Sequence, residues 1–308
     1  MGLRMGKSET TSHHFGGWGD KAAARTAFSV STICILIMGF ILYFLVKESL
    51  PVLKATTLSE LLFGMDWYPQ ETPPALGMFP LIASSLAVTF LSSAIGLPVS
   101  IVIAVFTAEI APRRLRSLVK PLLELLGFLP SIVFGFLGMV VVAPWLQARF
   151  NLLTGLNMAN ASALLGMMMV PIVGSLADEA LCAVPRELRD ASYALGATRW
   201  ETIRRVVLPS ALPGVLSASL LGVMRATGET MVMLMAAGGA AVIPQSLFDP
   251  VRPLTSTIAA EMGETPVGSE HYHALFFAGL ILLLITLAIN LLSAKIEAKG
   301  LKTKGGNL

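Results

Sequence analysis

Residues 185–233 decide how the chain is organised, because this one stretch joins a charged hairpin to a membrane-spanning segment. They run PRELRDASYALGATRWETIRRVVLPSALPGVLSASLLGVMRATGETMVM. The first half is charged and rich in residues that start or stop helices, whereas the second half is apolar enough to enter a bilayer. The apolar half nevertheless carries Arg225 and Glu229 near its middle.

The charged half opens with a pattern that predicts a short amphipathic helix. Pro185 suits the first turn of a helix. Leu188, Ala191 and Leu195 then recur at three- and four-residue spacing, which places them on one face. Gly196 follows where a helix end favours a left-handed backbone, so we predict that the helix stops there.

A second short helix is predicted directly after this glycine. Thr198 with Glu201 three residues later forms the sequence pattern of a capping box. Apolar Trp200, Ile203 and Val207 share one face of the helix that follows. Two prolines, Pro209 and Pro213, are expected to break or bend the chain before the apolar half. The hairpin is predicted to lie outside the membrane and to need a partner for its apolar face. The alternative is a segment lying on the membrane surface.

The apolar half predicts a membrane span over residues 210–237. Arg225 and Glu229 are four residues apart, so on a continuous helix they share a face and can pair. Ionisable groups inside a span normally face a pore, a partner or a polar pocket, which favours a functional role. The alternative is a self-neutralising pair that only locks the helix into its bundle. Small residues on this span would also let a second subunit approach closely, namely Ala218, Ser219 and Gly222.

The composition of the whole chain indicates an all-α integral membrane protein. Mean hydropathy is +0.74, and hydrophobic residues make up 55% of the sequence against 13% charged residues. Soluble domains carry about 25% charged residues, so this chain falls in a different class. The two cysteines, Cys34 and Cys182, lie in or near different apolar segments and offer neither a disulfide framework nor a metal site.

Apolar runs divide the chain into six predicted spans. A polar N-terminal tail covers residues 1–26, and its adjacent His13 and His14 are interpreted as incidental and not as a metal site. The third span is predicted to carry Pro130 and Ser131 near its middle. The six spans are 27–46, 77–107, 119–142, 161–180, 210–237 and 274–294. An extracytoplasmic segment is predicted at 47–76 and a C-terminal tail at 296–308. The five-helix core covers 77–295 and includes the hairpin at 185–209.

The distribution of basic residues predicts the orientation of these spans. One set of loops, with both tails and the hairpin, holds 17 Lys and Arg residues, whereas the opposite set holds four. Cytoplasmic loops carry the excess of Lys and Arg in membrane proteins. We therefore expect a multi-pass protein of the cell inner membrane with both termini and the hairpin in the cytoplasm.

The hairpin resembles the EAA loop of permease subunits from bacterial-type ABC importers. That loop has Glu-Ala-Ala, three residues, Gly, nine residues, then Ile-x-Leu-Pro, and here it takes the form DAS, three residues, Gly, nine residues and VVLP. Asp replaces Glu, Ser replaces the second Ala and Val replaces Ile. The resemblance implies the six-helix MetI-like permease fold and a coupling helix that docks on a cytoplasmic ATPase dimer. The coupling residues it implies are Asp190, Ala191, Ser192, Gly196, Arg199, Leu208 and Pro209.

Further motifs resemble those of permeases for inorganic phosphate. RATGET at 225–230 is similar to their intramembrane Arg-Ala-x-Gly-Glu-Thr run, and LLGFLPSIVFGFLG at 125–138 is similar to their third-span motif. The outer MDWYP and the later LTSTIAAEMGE resemble the C-type permease more than its A-type sibling. The implied partners are a second, A-type permease subunit, the ATPase and an extracytoplasmic phosphate-binding protein. The implied substrate-path residues are Arg225, Glu229, Thr227, Thr230 and Ser131.

Several other functions are not indicated by the sequence. It has no GxxxxGK[ST] loop for ATP and no Ser/His/Asp, Cys/His or HExxH constellation, so neither an enzyme nor a cofactor or nucleic-acid site is predicted. Two alternatives to phosphate transport stay open. One is the same architecture importing another oxyanion such as molybdate or sulfate, and the other is a non-transporting membrane partner of the ATPase.

Overall fold

The computed structural model describes the backbone of residues 18–305 and the side chains of residues 23–295. His13 and His14 lie outside the described residues. The chain divides into two compact units, residues 1–47 and residues 48–308. The first unit contains most of one long apolar helix, α1 (Trp18–Ser49), which begins earlier than the predicted start of the first span.

The second unit is a helical bundle with one small hairpin of strands. A 3₁₀ turn (Leu50–Lys54) and α2 (Leu58–Phe63) precede the paired strands β1 (Trp67–Tyr68) and β2 (Ala75–Leu76), which are antiparallel. The remaining elements are α3 (Phe79–Val105), a π turn (Phe106–Ile110), α4 (Arg113–Gly127), α5 (Ser131–Leu137), a π turn (Gly138–Val142), α6 (Ala143–Phe150), α7 (Met158–Cys182), α8 (Arg186–Ala194), α9 (Arg199–Thr202), a π turn (Ile203–Val207), α10 (Leu208–Thr227), α11 (Met231–Ala236), α12 (Leu254–Glu261) and α13 (Glu270–Gly305).

Among the residues that the structure describes, six helical segments are long and apolar enough to cross a membrane, which confirms the predicted six-span fold. They are Ala23–Lys54, Phe79–Ile110, Ser131–Phe150, Met158–Cys182, Arg199–Thr227 and Glu270–Lys295. Their composition makes the chain a multi-pass membrane protein. The third and fifth segments differ from the predicted spans, and both differences change the position of polar residues.

The centre of the bundle is the parallel packing of α3 on α7. A Cβ atom added at Gly96 would lie 2.7 Å from the carbonyl oxygen of Gly166, so the two backbones nearly touch. Further along, Thr107 on the continuation of α3 donates a hydrogen bond of 2.9 Å to Asp178 on α7. Close approach at paired glycines is a common way for membrane helices to gain van der Waals contact.

Helix α10 packs antiparallel against α7 through small residues. A Cβ atom added at Gly214 would lie 2.6 Å from the side chain of Ala180. One added at Gly222 would lie 2.3 Å from the side chain of Val173. Ala218 is 3% exposed and Ser219 is 9% exposed. The prediction that these small residues admit a second subunit is therefore wrong, because they are already buried within the same chain.

The predicted third span is two helices separated by a break. Helix α4 ends at Gly127, where an added Cβ would lie 3.7 Å from Pro171 in the middle of α7. Pro130 then occupies the N-cap position of α5, and Ser131 is the first helical residue. Proline lacks an N–H and starts helices more readily than it continues them, which explains why the break falls here. The continuous span predicted over 119–142 is wrong, and Ser131 lies at the start of the third span.

The fifth span is displaced toward the hairpin. Helix α9 continues through the π turn Ile203–Val207 into α10, so Pro209 does not separate hairpin from span. Pro209 instead lies directly after the π turn, at the second residue of α10, and Pro213 lies within the helix. Helix α10 then ends at Thr227 with Gly228 as its C-cap, because glycine stabilises a helix poorly. The predicted extension to residue 237 is wrong.

The end of the bundle opposite the hairpin is closed by residues 48–76 with α12 and the start of α13. This small core buries Val52, Leu61, Trp67, Leu254 and Leu275. Glu261 lies beside it as a shared acceptor: Trp67 Nε1 donates a hydrogen bond of 3.1 Å, Arg252 pairs with the carboxylate, and His271 Nε2 lies 2.8 Å from it. These contacts join residues 48–76 to the last two helices.

Candidate coupling and substrate sites

The hairpin of α8 and α9 ends and restarts at the residues that the sequence indicates. Gly196 adopts φ +80°, which confirms the predicted left-handed position. Its N–H bonds to Tyr193 O and the N–H of Ala197 bonds to Ser192 O, the hydrogen-bond pair of a Schellman motif. The capping box of Thr198 and Glu201 is formed in both directions and is confirmed.

The surface of the hairpin carries apolar side chains that nothing in the described chain covers. Leu195 is 88% exposed and Trp200 is 61% exposed, although Ile203 and Val207 from the same predicted face are buried. Asp190, Ala191, Arg199 and Pro209 are exposed as well, and Leu208 is half-buried. Exposed apolar patches rimmed by polar residues mark sites of protein or membrane contact.

Ser192 differs from the other predicted coupling residues, because its side chain points into the hairpin. Its hydroxyl lies 2.9 Å from that of Thr202, and both residues are buried. This contact joins α8 to α9. Ser192 therefore maintains the shape of the hairpin and does not offer a surface for docking.

A second polar cluster fixes α4 to α7 at the same end of the bundle. Asp178 is 3% exposed and accepts hydrogen bonds from Thr107 and Arg116, while Lys120 Nζ lies 3.9 Å away. Arg116 Nη2 also lies 2.7 Å from Cys182 Sγ. Hydrogen bonding to Cys182, together with the nearby Asp178 carboxylate, raises the pKa of Arg116, although burial opposes the shift. Arg116 therefore stays charged and paired.

The predicted pairing of Arg225 with Glu229 is absent from the structure. Arg225 lies in the last turn of α10, but the helix ends before Glu229, so the two do not share a helix face as predicted. Glu229 is 9% exposed, and its Oε1 accepts a hydrogen bond of 3.1 Å from the N–H of Met231 at the start of α11. Arg225 is exposed, and within residues 23–295 it makes no hydrogen bond or ion pair.

Glu229 instead adjoins a small cavity lined by hydroxyl groups. The lining includes Ser85, Thr89, Thr227 and Thr255, and the volume of about 10 Å³ is close to the minimum for one water molecule. Thr255 Oγ1 donates a hydrogen bond of 2.8 Å to the carbonyl oxygen of Glu229, and Ser85 Oγ accepts one of 2.8 Å from the N–H of Leu254. The cavity is too small for an oxyanion in this conformation.

The two remaining predicted path residues lie at helix breaks. Thr230 is half-buried between α10 and α11, and Ser131 is half-buried at the start of α5. The breaks are neighbours, because an added Cβ at Gly135 on α5 would lie 3.1 Å from Met231 O on α11. Ser85, Thr89 and Thr255 were missed by the sequence analysis, since α3 and α12 are distant in sequence from residues 225–230.

Comparison with known proteins agrees with this architecture. Residues 96–299 match the family model described as binding-protein-dependent transport system inner membrane component. Among curated proteins, the probable ABC transporter permease protein YqgH of Bacillus subtilis is 39% identical over 76% of this chain and 75% of its own length. The phosphate transport system permease proteins PstC of Pasteurella multocida and Xylella fastidiosa (strain Temecula1) are 33% and 30% identical, over 77% and 94% of this chain and 80% and 96% of their own lengths.

Solved structures share the fold at lower identity. A chain of a bacterial alginate ABC transporter in complex with its pentasaccharide-bound periplasmic protein matches with a TM-score of 0.63 and 15% identity, covering 90% of this chain and 95% of that one. A chain of an inward-facing MetNI methionine ABC transporter matches with a TM-score of 0.54 and 22% identity, covering 73% and 94%.

The chain therefore belongs to the family of binding-protein-dependent transport system inner membrane components. Within that family it is PstC-like, a permease subunit of an ABC importer. It is a transporter subunit and not an enzyme, and ATP hydrolysis takes place in a separate subunit. A permease of this kind functions with an ATPase and a substrate-binding protein.

Proposed function

We propose that the chain forms one half of the translocation path for inorganic phosphate in an ATP-driven importer. The observation that carries this proposal is Arg225, an exposed guanidinium that lies in the last turn of a membrane-spanning helix and has no hydrogen-bond or ion-pair partner within residues 23–295. An unpaired cation at this depth is unfavourable unless it meets an anion, a partner subunit or water. The named phosphate permeases among the relatives support phosphate as that anion.

The chemistry of Arg225 suits a phosphate oxyanion. A guanidinium presents forked N–H donors that match two phosphate oxygens. Its positive charge also compensates the negative charge of the anion, which hydrocarbon cannot do. Glu229 is held by Met231 and turned into the hydroxyl-lined cavity, so it does not neutralise Arg225 in this conformation. In our proposal Glu229 pairs with Arg225 only when the path is empty. Thr227, Thr230 and Ser131 add hydroxyl donors along the path.

The proposed assembly follows from the single-chain architecture. The exposed face of α10 meets a second, A-type permease subunit, and the phosphate-binding protein delivers its ligand to the end closed by residues 48–76. Both termini and the hairpin at 185–209 face the cytoplasm, because the basic residues concentrate there. In our proposal the polar tails lie within residues 1–26 and 296–308, and the permease core lies within residues 77–295.

Substrate competition in reconstituted vesicles tests the identity of the anion. We expect radiolabelled phosphate uptake by the complete importer to be unaffected by excess sulfate or molybdate and to be suppressed by unlabelled phosphate. Suppression by molybdate or sulfate, with uptake of the labelled competitor, would assign the path to that oxyanion instead.

We further propose that the hairpin docks on the ATPase through its exposed coupling residues. Leu195 and Trp200 provide the uncovered apolar surface that an interface requires. Asp190, Ala191 and Arg199 provide polar contacts beside it, while Gly196 sets the turn and Leu208 and Pro209 connect it to α10. The ATPase thereby becomes the burial partner that the amphipathic pattern demands.

Replacing Gly196 tests this docking directly. A Cβ atom added at Gly196 would meet nothing within 4 Å, so the main penalty of Gly196→Val is the left-handed backbone, which a β-branched residue tolerates poorly. We expect the variant to insert in the membrane but to lose most co-purification of the ATPase. Gly263→Val is the matched control, because Gly263 is also in open space and lacks the positive φ. Normal ATPase recovery with Gly196→Val would contradict the docking role.

A further inference from the structure

Glu109, in the π turn that ends α3, is bound by both arms of the hairpin. Arg189 on α8 donates a hydrogen bond of 2.7 Å from Nη2 to Glu109 Oε1. The side chain of Arg189 is only 16% exposed and that of Glu109 only 9%. Arg199 on α9 donates to the backbone carbonyl of Glu109. One residue at the end of α3 therefore holds both helices of the hairpin.

The hairpin does not depend on Glu109 for its own shape. Arg189 also donates to the carbonyls of Leu181 and Val184 at the end of α7. The Ser192–Thr202 contact and the buried Ile203 fix the two arms to each other. Removing the charge of the Glu109 carboxylate should therefore leave the hairpin assembled and weaken only its connection to α3.

The hairpin is attached to three spans. It follows α7 directly and continues into α10 through the π turn Ile203–Val207, whereas it is joined to α3 only by contacts, including those at Glu109. At the far ends of two of them, α3 contributes Ser85 and Thr89 and α10 contributes Thr227 to the cavity beside Glu229. Motion of the hairpin can reach that cavity along both helices.

We propose that the Glu109–Arg189 pair is a positioning clamp that makes α3 move together with α10 when the ATPase moves the hairpin. This inference rests on the proposed docking of the hairpin. With the clamp intact, both walls of the polar cavity shift as one body. Without it, α3 follows the hairpin less closely than α10 does, and the path opens incompletely for each ATP hydrolysed. π turns within helices often occur at such functional positions, and both ends of the clamped unit have one.

The test uses Glu109→Gln in the complete importer, purified through this chain and reconstituted in vesicles. We expect normal recovery of the ATPase and a normal or higher ATP hydrolysis rate. The number of phosphate ions imported per ATP should fall about tenfold, within the usual range of coupling between linked sites. Glu124→Gln is the matched control, because Glu124 is an exposed carboxylate on α4 at the same end of the bundle, and its ratio should not change.

A double variant separates the clamp from a general loss of stability. Arg189→Gln alone should also lower the phosphate-to-ATP ratio. Adding Glu109→Gln to it should lower the ratio no further than Arg189→Gln does alone, since Glu109 has already lost its charged partner. An unchanged ratio in Glu109→Gln would overturn the inference, as would additive effects or loss of the ATPase from the complex. Absence of phosphate flux in the parent importer would defeat the proposed function instead, so the two failures are distinguishable.

Discussion

Phosphate uptake should fall about 100-fold in Arg225→Gln, while the permease still assembles with its ATPase. The amide retains part of the hydrogen bonding but loses the charge, and losing one partner of a desolvated charge pair costs about 2–5 kcal/mol. Assembly should survive because Arg225 makes no hydrogen bond or ion pair within residues 23–295. Radiolabelled phosphate uptake, measured beside pull-down of the ATPase, checks both expectations.

Two further arginine variants define what the guanidinium supplies. Arg225→Lys restores the charge without the forked donors, so we expect partial activity. Arg149→Gln serves as the control, because Arg149 is also an exposed arginine but lies in the last turn of α6, away from the helix breaks. Uptake that survives in Arg225→Gln would leave this residue with a structural role only.

A second large effect is expected at the contact between α3 and α7. In Gly96→Ala the new Cβ would lie 2.7 Å from the backbone oxygen of Gly166, which cannot move aside as a flexible side chain does. Overpacking of this kind costs about 1–3 kcal/mol, so we expect lower yield and a melting temperature lower by about 5 °C. Thermal unfolding of the detergent-purified chain measures the change.

The same interface offers a matched control in Gly174→Ala. There the added Cβ would lie 3.7 Å from Ser100 O, an ordinary contact distance, so the melting temperature should be close to that of the parent. Equal stability of the two alanine variants would show that α3 and α7 do not approach as closely as described.

Local signals in the sequence predicted the hairpin and the six spans well. The capping box and Gly196 are decided by hydrogen bonds among neighbouring residues, so nothing distant can override them. Composition fixes the number of spans, because a run of apolar residues long enough for a bilayer is hard to accommodate otherwise. These features could be inferred without knowing how the helices pack.

Features that depend on helix breaks and on distant contacts could not be predicted in the same way. The face shared by Arg225 and Glu229 requires a continuous helix, but α10 ends at Gly228. Membrane helices often tolerate glycine, so its presence alone does not reveal a break. The hydroxyls of Ser85 and Thr255 reach Glu229 only through packing of α3 and α12. The contact of Arg189 with Glu109 joins residues far apart in sequence.

The central claim is that this chain belongs to a path through which ATP drives phosphate across the membrane. The most direct measurement is phosphate accumulation in vesicles that hold the complete importer, with ATP on the side of the ATPase and the binding protein on the other. We predict accumulation only when ATP, the binding protein and the parent chain are all present, and its loss in Arg225→Gln. ATP hydrolysis without phosphate accumulation in the parent complex would contradict the account.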